Sequence, residues 1–237
     1  MPFVGSVEGK MTFGRTTANS IPVSSNMLLY LDAGNRTSYS GTGTTWTDLS
    51  PNANTATSVN GVTYSSLNGG YLSFNGAGSG SLVANKYNPT YTGKTVFVAG
   101  NLANISVGEF RAFLGASAGS RNFNLYMYSP SSGVYQLHYS AGGFGGFSGN
   151  LSYTPGNWFT AAVTQATDGT TIYYFNGQQV NQTTMTFSQF LSGSTENVGR
   201  ADNFWSGPLP IICVYKTNLT AAQILANHNA VRGRYGL

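Results

Sequence analysis

Charge is the scarcest ingredient of this 237-residue chain: Lys, Arg, Asp and Glu together make up 8% of it, against roughly 25% in an ordinary soluble domain. So sparse a surface offers little repulsion between copies, which suits a protein packed against neighbours and points to a homo-oligomer. The 11 basic residues against 7 acidic ones are scattered, with no Lys/Arg run, which argues against a nucleic-acid partner. One cysteine, Cys213 within IICVY, rules out an internal disulfide framework and reads as a small buried hydrophobe. No apolar stretch approaches the ~18 residues of a membrane helix, and MPFVGSVEGKMTFGR lacks the apolar segment of a secretory signal. The expectation is a chain made in a cytoplasm, without membrane insertion.

Paired acids are also missing. A retaining glycosidase holds two carboxylates ~5 Å apart, but Glu8, Asp32, Asp48, Glu109, Asp168, Glu196 and Asp202 include no pair closer than six positions and none alternates along a strand. His138 and His228 have no motif-placed Ser or Cys nucleophile near them, and GTGTTW and GAGSGS lack the lysine of a phosphate loop. The chain therefore does not read as an enzyme.

What it does have is strand and turn. With 31 Gly, 15 Tyr and 14 Phe, it favours short strands joined by tight turns. Met27–Gly34, MLLYLDAG, is a short apolar run without helical spacing and reads as a buried strand. Thr95–Ala99 and Ile211–Tyr215 read the same way. Further strands are expected at Gly70–Phe74, Ser81–Ala84, Trp158–Thr164 and Thr171–Phe175, the last entering a hairpin at Asn176-Gly177. Asn60-Gly61 is a second turn signal. Phe110, Ala112 and Leu114 alternate with Arg111 and Phe113. Leu125 and Met127 alternate with Tyr126 and Tyr128, and Leu137 and Tyr139 with Gln136 and His138. One greasy and one mixed face per strand is the pattern of a sandwich. The one helix starts at Thr220, with Gln223 completing a capping box and Leu219 and Ile224 at staple spacing. Ile224, Leu225 and His228 share its apolar face, and Gly233 is expected to stop it.

Residues 1–25 stand apart as an arm, leaving 26–237 as the domain. Val7, Gly9, Met11 and Phe13 alternate with Glu8, Lys10 and Thr12, a period of two, so the arm is either a disordered leader or a strand that finds an edge on another subunit. On the second reading Phe3, Val7, Met11 and Phe13 make the assembly contact. Asp32 and Asp48 flank the loop after the first strand. As a pair they would offer calcium hard oxygen ligands, but two carboxylates fall short of a full shell. The preferred reading is structural, with each carboxylate accepting backbone N–H groups and fixing a turn. No other cofactor is expected. Ala141–Gly149, AGGFGGFSG, reads as a Gly-rich loop, and its Phe144 and Phe147, with Phe204 and Trp205 in ADNFWSG, are candidates to stack on a sugar or on a partner subunit.

Three segments, YLDAGNRTSYSGTGTTWTDLS (30–50), GNWFTAAVTQATDGTTIYYFNGQQV (156–180) and NVGRADNFWSGPLPIICVYKTNLTAAQILANHNA (197–230), resemble in order and spacing the laminin-G-like, concanavalin A-like lectin-glucanase superfamily. The resemblance implies an all-β jelly-roll sandwich with a short C-terminal helix and an extended N-terminal arm. LYLDAGN…SGTGTTWTDLS, the ending RGRYGL and the leader GSVEGKMTFGR are similar to virion structural proteins of marine tailed phages. That narrower likeness implies a virion location, phage capsid or other virion proteins as partners, and capsid decoration through the arm. Its alternative is a fibre- or tail-associated carbohydrate-binding module touching a host-surface glycan. Where many superfamily members carry a pair of acids after the Gly70–Phe74 strand, this chain has FNGAGSGSL, and Pro208-Leu209-Pro210 replaces an acid before the last strand. Both departures count against a calcium-dependent sugar site.

Overall fold

The computed structural model describes residues 20–59, 61–76, 81–84, 92–116, 124–141, 144–186, 196–200 and 203–237. Its strands are β1 (Met27–Asp32), β2 (Thr45–Trp46), β3 (Ala56–Val59), β4 (Val62–Ser65), β5 (Tyr71–Asn75), β6 (Ser81–Ala84), β7 (Gly93–Asn101), β8 (Phe110–Ala116) and β9 (Asn124–Ser131). They continue with β10 (Val134–Ala141), β11 (Phe144–Phe147), β12 (Trp158–Ala166), β13 (Thr170–Phe175), β14 (Gln178–Thr184), β15 (Glu196–Val198), β16 (Ser206–Leu209) and β17 (Ile211–Tyr215), followed by helix α1 (Ala221–Tyr235). A six-stranded sheet in the order β1-β17-β7-β12-β13-β14 faces an eight-stranded sheet in the order β11-β10-β9-β8-β15-β6-β3-β2, and β16-β5-β4 form a small third sheet. Among the described residues every ladder is antiparallel. No helix among them is long and apolar enough to cross a membrane. The architecture is the antiparallel jelly-roll sandwich with one C-terminal helix that the sequence implied.

The unbroken apolar runs of β1, β7 and β17 exist because the six-stranded sheet is covered on both faces. Leu29, Leu31, Val96, Val98, Ile212 and Val214 point into the core between the sheets, with Phe159, Val163, Phe113 and Leu125. Their neighbours Tyr30, Phe97, Cys213 and Tyr215 point the other way and are roofed by Ile224, Val231 and Tyr235 of α1. Each fully buried large side chain contributes about 1.5–3 kcal/mol relative to exposure. The helix begins at the expected capping box: Gln223 N–H donates to Thr220 Oγ1 at 3.3 Å and Thr220 N–H to Gln223 Oε1 at 2.9 Å.

Several boundaries differ from the sequence reading, each for a local reason. The helix runs through Gly233 and ends at Gly236, whose φ of 72° gives the left-handed cap. Burial of Val231 and Tyr235 carries the last turn onward. Leu225 is exposed, and Asn227 takes its place on the buried face. Residues 20–25, assigned to the arm, pack on the domain: Ile21 is buried, Val23 N–H reaches Asn227 Oδ1 at 3.3 Å, and Tyr215 Oη donates to the Val23 carbonyl at 3.0 Å. Strand β8 bulges between Ala112 and Leu114. Phe113 and Leu114 therefore both enter the inter-sheet core, while Phe110 and Ala112 remain on the opposite face. Asn176-Gly177 does form the tight β13–β14 turn, with φ of 48° and 76°, the sign pattern of a type I′ hairpin. The strands flanking Gly61 do not pair, since β3 and β4 belong to different sheets.

Candidate functional site

The face of the eight-stranded sheet turned away from the core carries an aromatic platform. Strand alternation puts Tyr126 and Tyr128 of β9 and His138 of β10 on that face, opposite Leu125, Met127 and Leu137. The β8 bulge leaves Phe110 there, and the register of β11 places Phe147 directly across from His138. Phe110 stacks on Tyr128 at 4.2 Å between ring centroids, and Phe147 lies 4.5 Å from His138 and 5.4 Å from Tyr128. Phe110 also meets Tyr126 edge-on at 5.6 Å. This cluster is separate from the two core clusters, and no described helix or sheet is laid over it. Phe147 is 39% exposed and Phe110, Tyr128 and His138 are half-buried. At its side Gln136 Nε2 donates to Asn150 Oδ1 at 2.9 Å, leaving Gln136 Oε1 as an acceptor and Asn150 Nδ2 as a donor for a ligand.

Sequence reasoning treated FGGF as loop, yet it is the edge strand β11. Its glycines leave room for side chains packed closely on both faces. A Cβ at Gly145 would press on His138 Nε2, and one at Gly146 would strike Tyr173 Oη and Met185 Sδ of the facing layer. The glycines thus let β11 lie close enough to complete the platform.

Burial among the rings lowers the His138 pKa from 6.5 to about 4, and its Nδ1 has no partner among the described residues. The imidazole is therefore neutral when folded and takes a proton more readily when unfolded. Its stabilising contribution is complete above pH 6.5 and is lost as pH falls through about 4. Burial, then the nearby Arg232 charge, lowers His228 in the same direction. Thermal unfolding followed across this window should fall by a few degrees, and His138→Phe should remove part of that slope. An unchanged slope in the variant would rule His138 out as a source.

The remaining sequence candidates separate clearly. Trp205 is fully buried, packed 4.3 Å from Phe113 between the sheets, so it is a core residue and offers no ligand surface. Phe204 is half-buried beneath the Arg200 guanidinium, 5.0 Å from its ring. Phe144 lies on β11, with its side chain outside the described residues. Phe3, Val7, Met11 and Phe13 lie outside them entirely. Asp32 and Asp48 are buried and committed to protein donors. Asp32 holds Arg234 through two 2.8 Å bonds and accepts Gly34 N–H at 2.9 Å. Asp48 accepts the N–H groups of Tyr30, Ser50 and Asn54, each at 2.8 Å. Glu109 pairs with Arg111 at 2.6 Å and Asp168 caps Thr170 N–H at 2.8 Å. No group of three or more His, Cys, Asp or Glu able to hold a metal ion occurs among the described residues.

Two facing antiparallel sheets, with an open aromatic face on one and a helix over the other, define a jelly-roll domain of the lectin type. The sequence profile of the Concanavalin A-like lectin/glucanases superfamily matches residues 103–225, just over half of the chain. The chain belongs to that superfamily. Among curated proteins no sequence matches. Domain 4 of AbnA, an extracellular arabinanase of Geobacillus stearothermophilus solved with arabinotriose, superposes with a TM-score of 0.66 at 14% identity, over 86% of this chain and 98% of that one. The binding domain of botulinum neurotoxin DC in complex with SialylT gives 0.67 at 12% identity, over 90% of this chain and 52% of that one. Trypanosoma rangeli sialidase gives 0.63 at 17% identity, over 88% and 33%. The chain thus spans nearly all of the arabinanase domain but about half of the neurotoxin fragment and a third of the sialidase.

Proposed function

We propose that this domain is a non-catalytic carbohydrate-binding module whose ligand lies on the aromatic face of β8–β11. The observation that carries the reading is the platform of Phe110, Tyr126, Tyr128, His138 and Phe147, with an amide pair at its side. Flat rings offer apolar area at low entropic cost, and amides supply the hydrogen bonds that orient a polyol. Superfamily membership supports it, as do the arabinotriose bound by the arabinanase domain and the SialylT complex of the neurotoxin domain. The commitment of Asp32, Asp48, Glu109 and Asp168 to protein donors supports binding without turnover. On an oligosaccharide array the wild-type domain should retain at least one glycan. Replacing Phe147 or Tyr128 by Ala should weaken it tenfold or more, since central aromatic contacts carry roughly 2 kcal/mol or more. Full affinity in both variants, or an array without any binder, would overturn the proposal.

A second reading concerns where the module is displayed. The likeness of its N- and C-terminal segments to tailed-phage virion proteins and the 8% charge favour a homo-oligomer on a virion, held through the arm. Capsid decoration and fibre or tail attachment are its two forms. Deleting residues 1–19 removes the arm while keeping Ile21 and Val23 on the sheet. The truncated protein should lose particle attachment and show fewer subunits per particle by light scattering; normal attachment and an unchanged subunit number would dismiss the arm as anchor.

A further inference from the structure

Beyond the platform, the molecule has a concavity where α1 ends. It encloses about 740 Å³ and is lined by residues of the β9–β10 turn, the 151–158 segment, the end of β13 and the final turn of the chain. Ligand sites for small molecules run roughly 300–1,000 Å³. No Asp, Glu, Lys, Arg or His is among the lining residues, so no side chain in the wall selects a charged ligand.

The wall is aromatic and amide. Trp158 is stacked on Tyr235 at 4.7 Å with an interplanar angle of 21°, and Tyr71 meets its ring edge-on at 5.6 Å. The indole is thus fixed from two sides yet half-buried. Tyr153 anchors the neighbouring loop: its Oη accepts Leu102 N–H at 3.1 Å and lies 3.1 Å from the Leu102 carbonyl. Gly156 N–H donates to that same carbonyl at 2.8 Å, and Asn101 Nδ2 to the Gly156 carbonyl at 2.6 Å. A loop held by four such contacts has little freedom left to lose when a ligand arrives. Asn176 commits its Oδ1 to Thr160 N–H at 3.0 Å, and its amide protons bond to none of the described residues. The Thr154 and Asn157 side chains are exposed and make none of the fold's hydrogen bonds among the described residues.

We infer that this groove is a second saccharide site, selective for neutral sugars, with Trp158 as its stacking surface and Thr154, Asn157 and Asn176 as its polar contacts. The inference rests on the carbohydrate-binding reading and adds a site to it. Two sites on one rigid body would let a long or repeated glycan engage both, raising avidity without new contacts.

Tryptophan fluorescence separates the two sites. The chain has three tryptophans, and Trp46 and Trp205 are both 0% exposed, whereas the platform contains none. Acrylamide quenching therefore reports on Trp158. The probes are arabinotriose, cellotriose and maltotriose at millimolar concentration, with binding followed in parallel by calorimetry. At least one should bind and shield Trp158, and the Thr154→Ala/Asn157→Ala variant should weaken that shielding about five- to tenfold with an unchanged melting temperature. Phe147→Ala should leave the shielding intact. Binding that Phe147→Ala abolishes, with quenching unaltered throughout, would overturn the groove and keep the platform. Shielding that persists while platform variants bind every glycan normally would overturn the platform and keep the groove. No calorimetric binding of any of the three overturns the groove, and the oligosaccharide array then decides the platform on its own.

Discussion

Replacing Arg234 by Ala should lower stability by about 3–5 kcal/mol, because it leaves a buried carboxylate without its counter-charge. The Arg234 and Asp32 side chains are 8% and 1% exposed. The guanidinium meets both carboxylate oxygens at 2.8 Å, a bidentate geometry that an ammonium would not reproduce. This pair fastens the last turn of α1 to the end of β1, across 202 residues of sequence. Arg234 Nη2 also reaches the Gly69 carbonyl at 3.2 Å, tying in the three-stranded sheet. The approach is so close that a Cβ on Gly34 would collide with both the Gly69 carbonyl and the guanidinium. Urea unfolding of Arg234→Ala should show a lower midpoint with the slope preserved. The Asp32→Asn/Arg234→Met double variant should be less damaged than Arg234→Ala alone, since removing both charges leaves no unpaired ion. A loss below about 1 kcal/mol in the single variant would mean the pair behaves as an exposed one.

How much of this could be read from the chain depended on the distance over which each feature is decided. Thr220 and Gln223 are one turn apart, and Asn176-Gly177 fixes its own dihedral angles, so both were legible. The apolar runs of β1, β7 and β17 announced a buried sheet because two covered faces leave no position for polar residues. Leu114 reads on one face with Phe110 and Ala112 by alternation, but the bulge after Ala112 shifts the period by one residue without changing composition and turns Leu114 into the core beside Phe113. FGGF looked like loop because glycine is rare in strands, and the reason for it is Tyr173 and Met185 on the opposite layer. The platform was legible only in pieces. Tyr126, Tyr128 and His138 were seen on mixed faces, but Phe110 and Phe147 join them only once the order β11-β10-β9-β8 is known. Nothing local announces the groove, which four separate segments build.

Trp205 gives the clearest test of that distinction, because its sequence context, Gly-flanked and polar, matched that of a ligand-contacting aromatic. In the fold its ring is fully buried, 4.3 Å from Phe113 and 6.3 Å from Phe159, and its Nε1–H donates to the Pro208 carbonyl at 3.3 Å. Its backbone N–H closes the β15–β16 connection on the Gly199 carbonyl at 2.8 Å. Even the space beside it is taken, since a Cβ on Gly100 would sit 3.3 Å from the indole. Truncation to Ala would open a cavity between two sheets too well paired to collapse into it, at a cost of about 3–5 kcal/mol. Trp205→Ala should therefore unfold at markedly lower urea while binding glycan normally wherever it remains folded. Phe147→Ala should do the reverse, losing glycan with little change in the unfolding midpoint, because its ring is 39% exposed on an edge strand. If Trp205→Ala kept its midpoint and lost glycan instead, the indole would have to face solvent rather than fill the centre of the inter-sheet core.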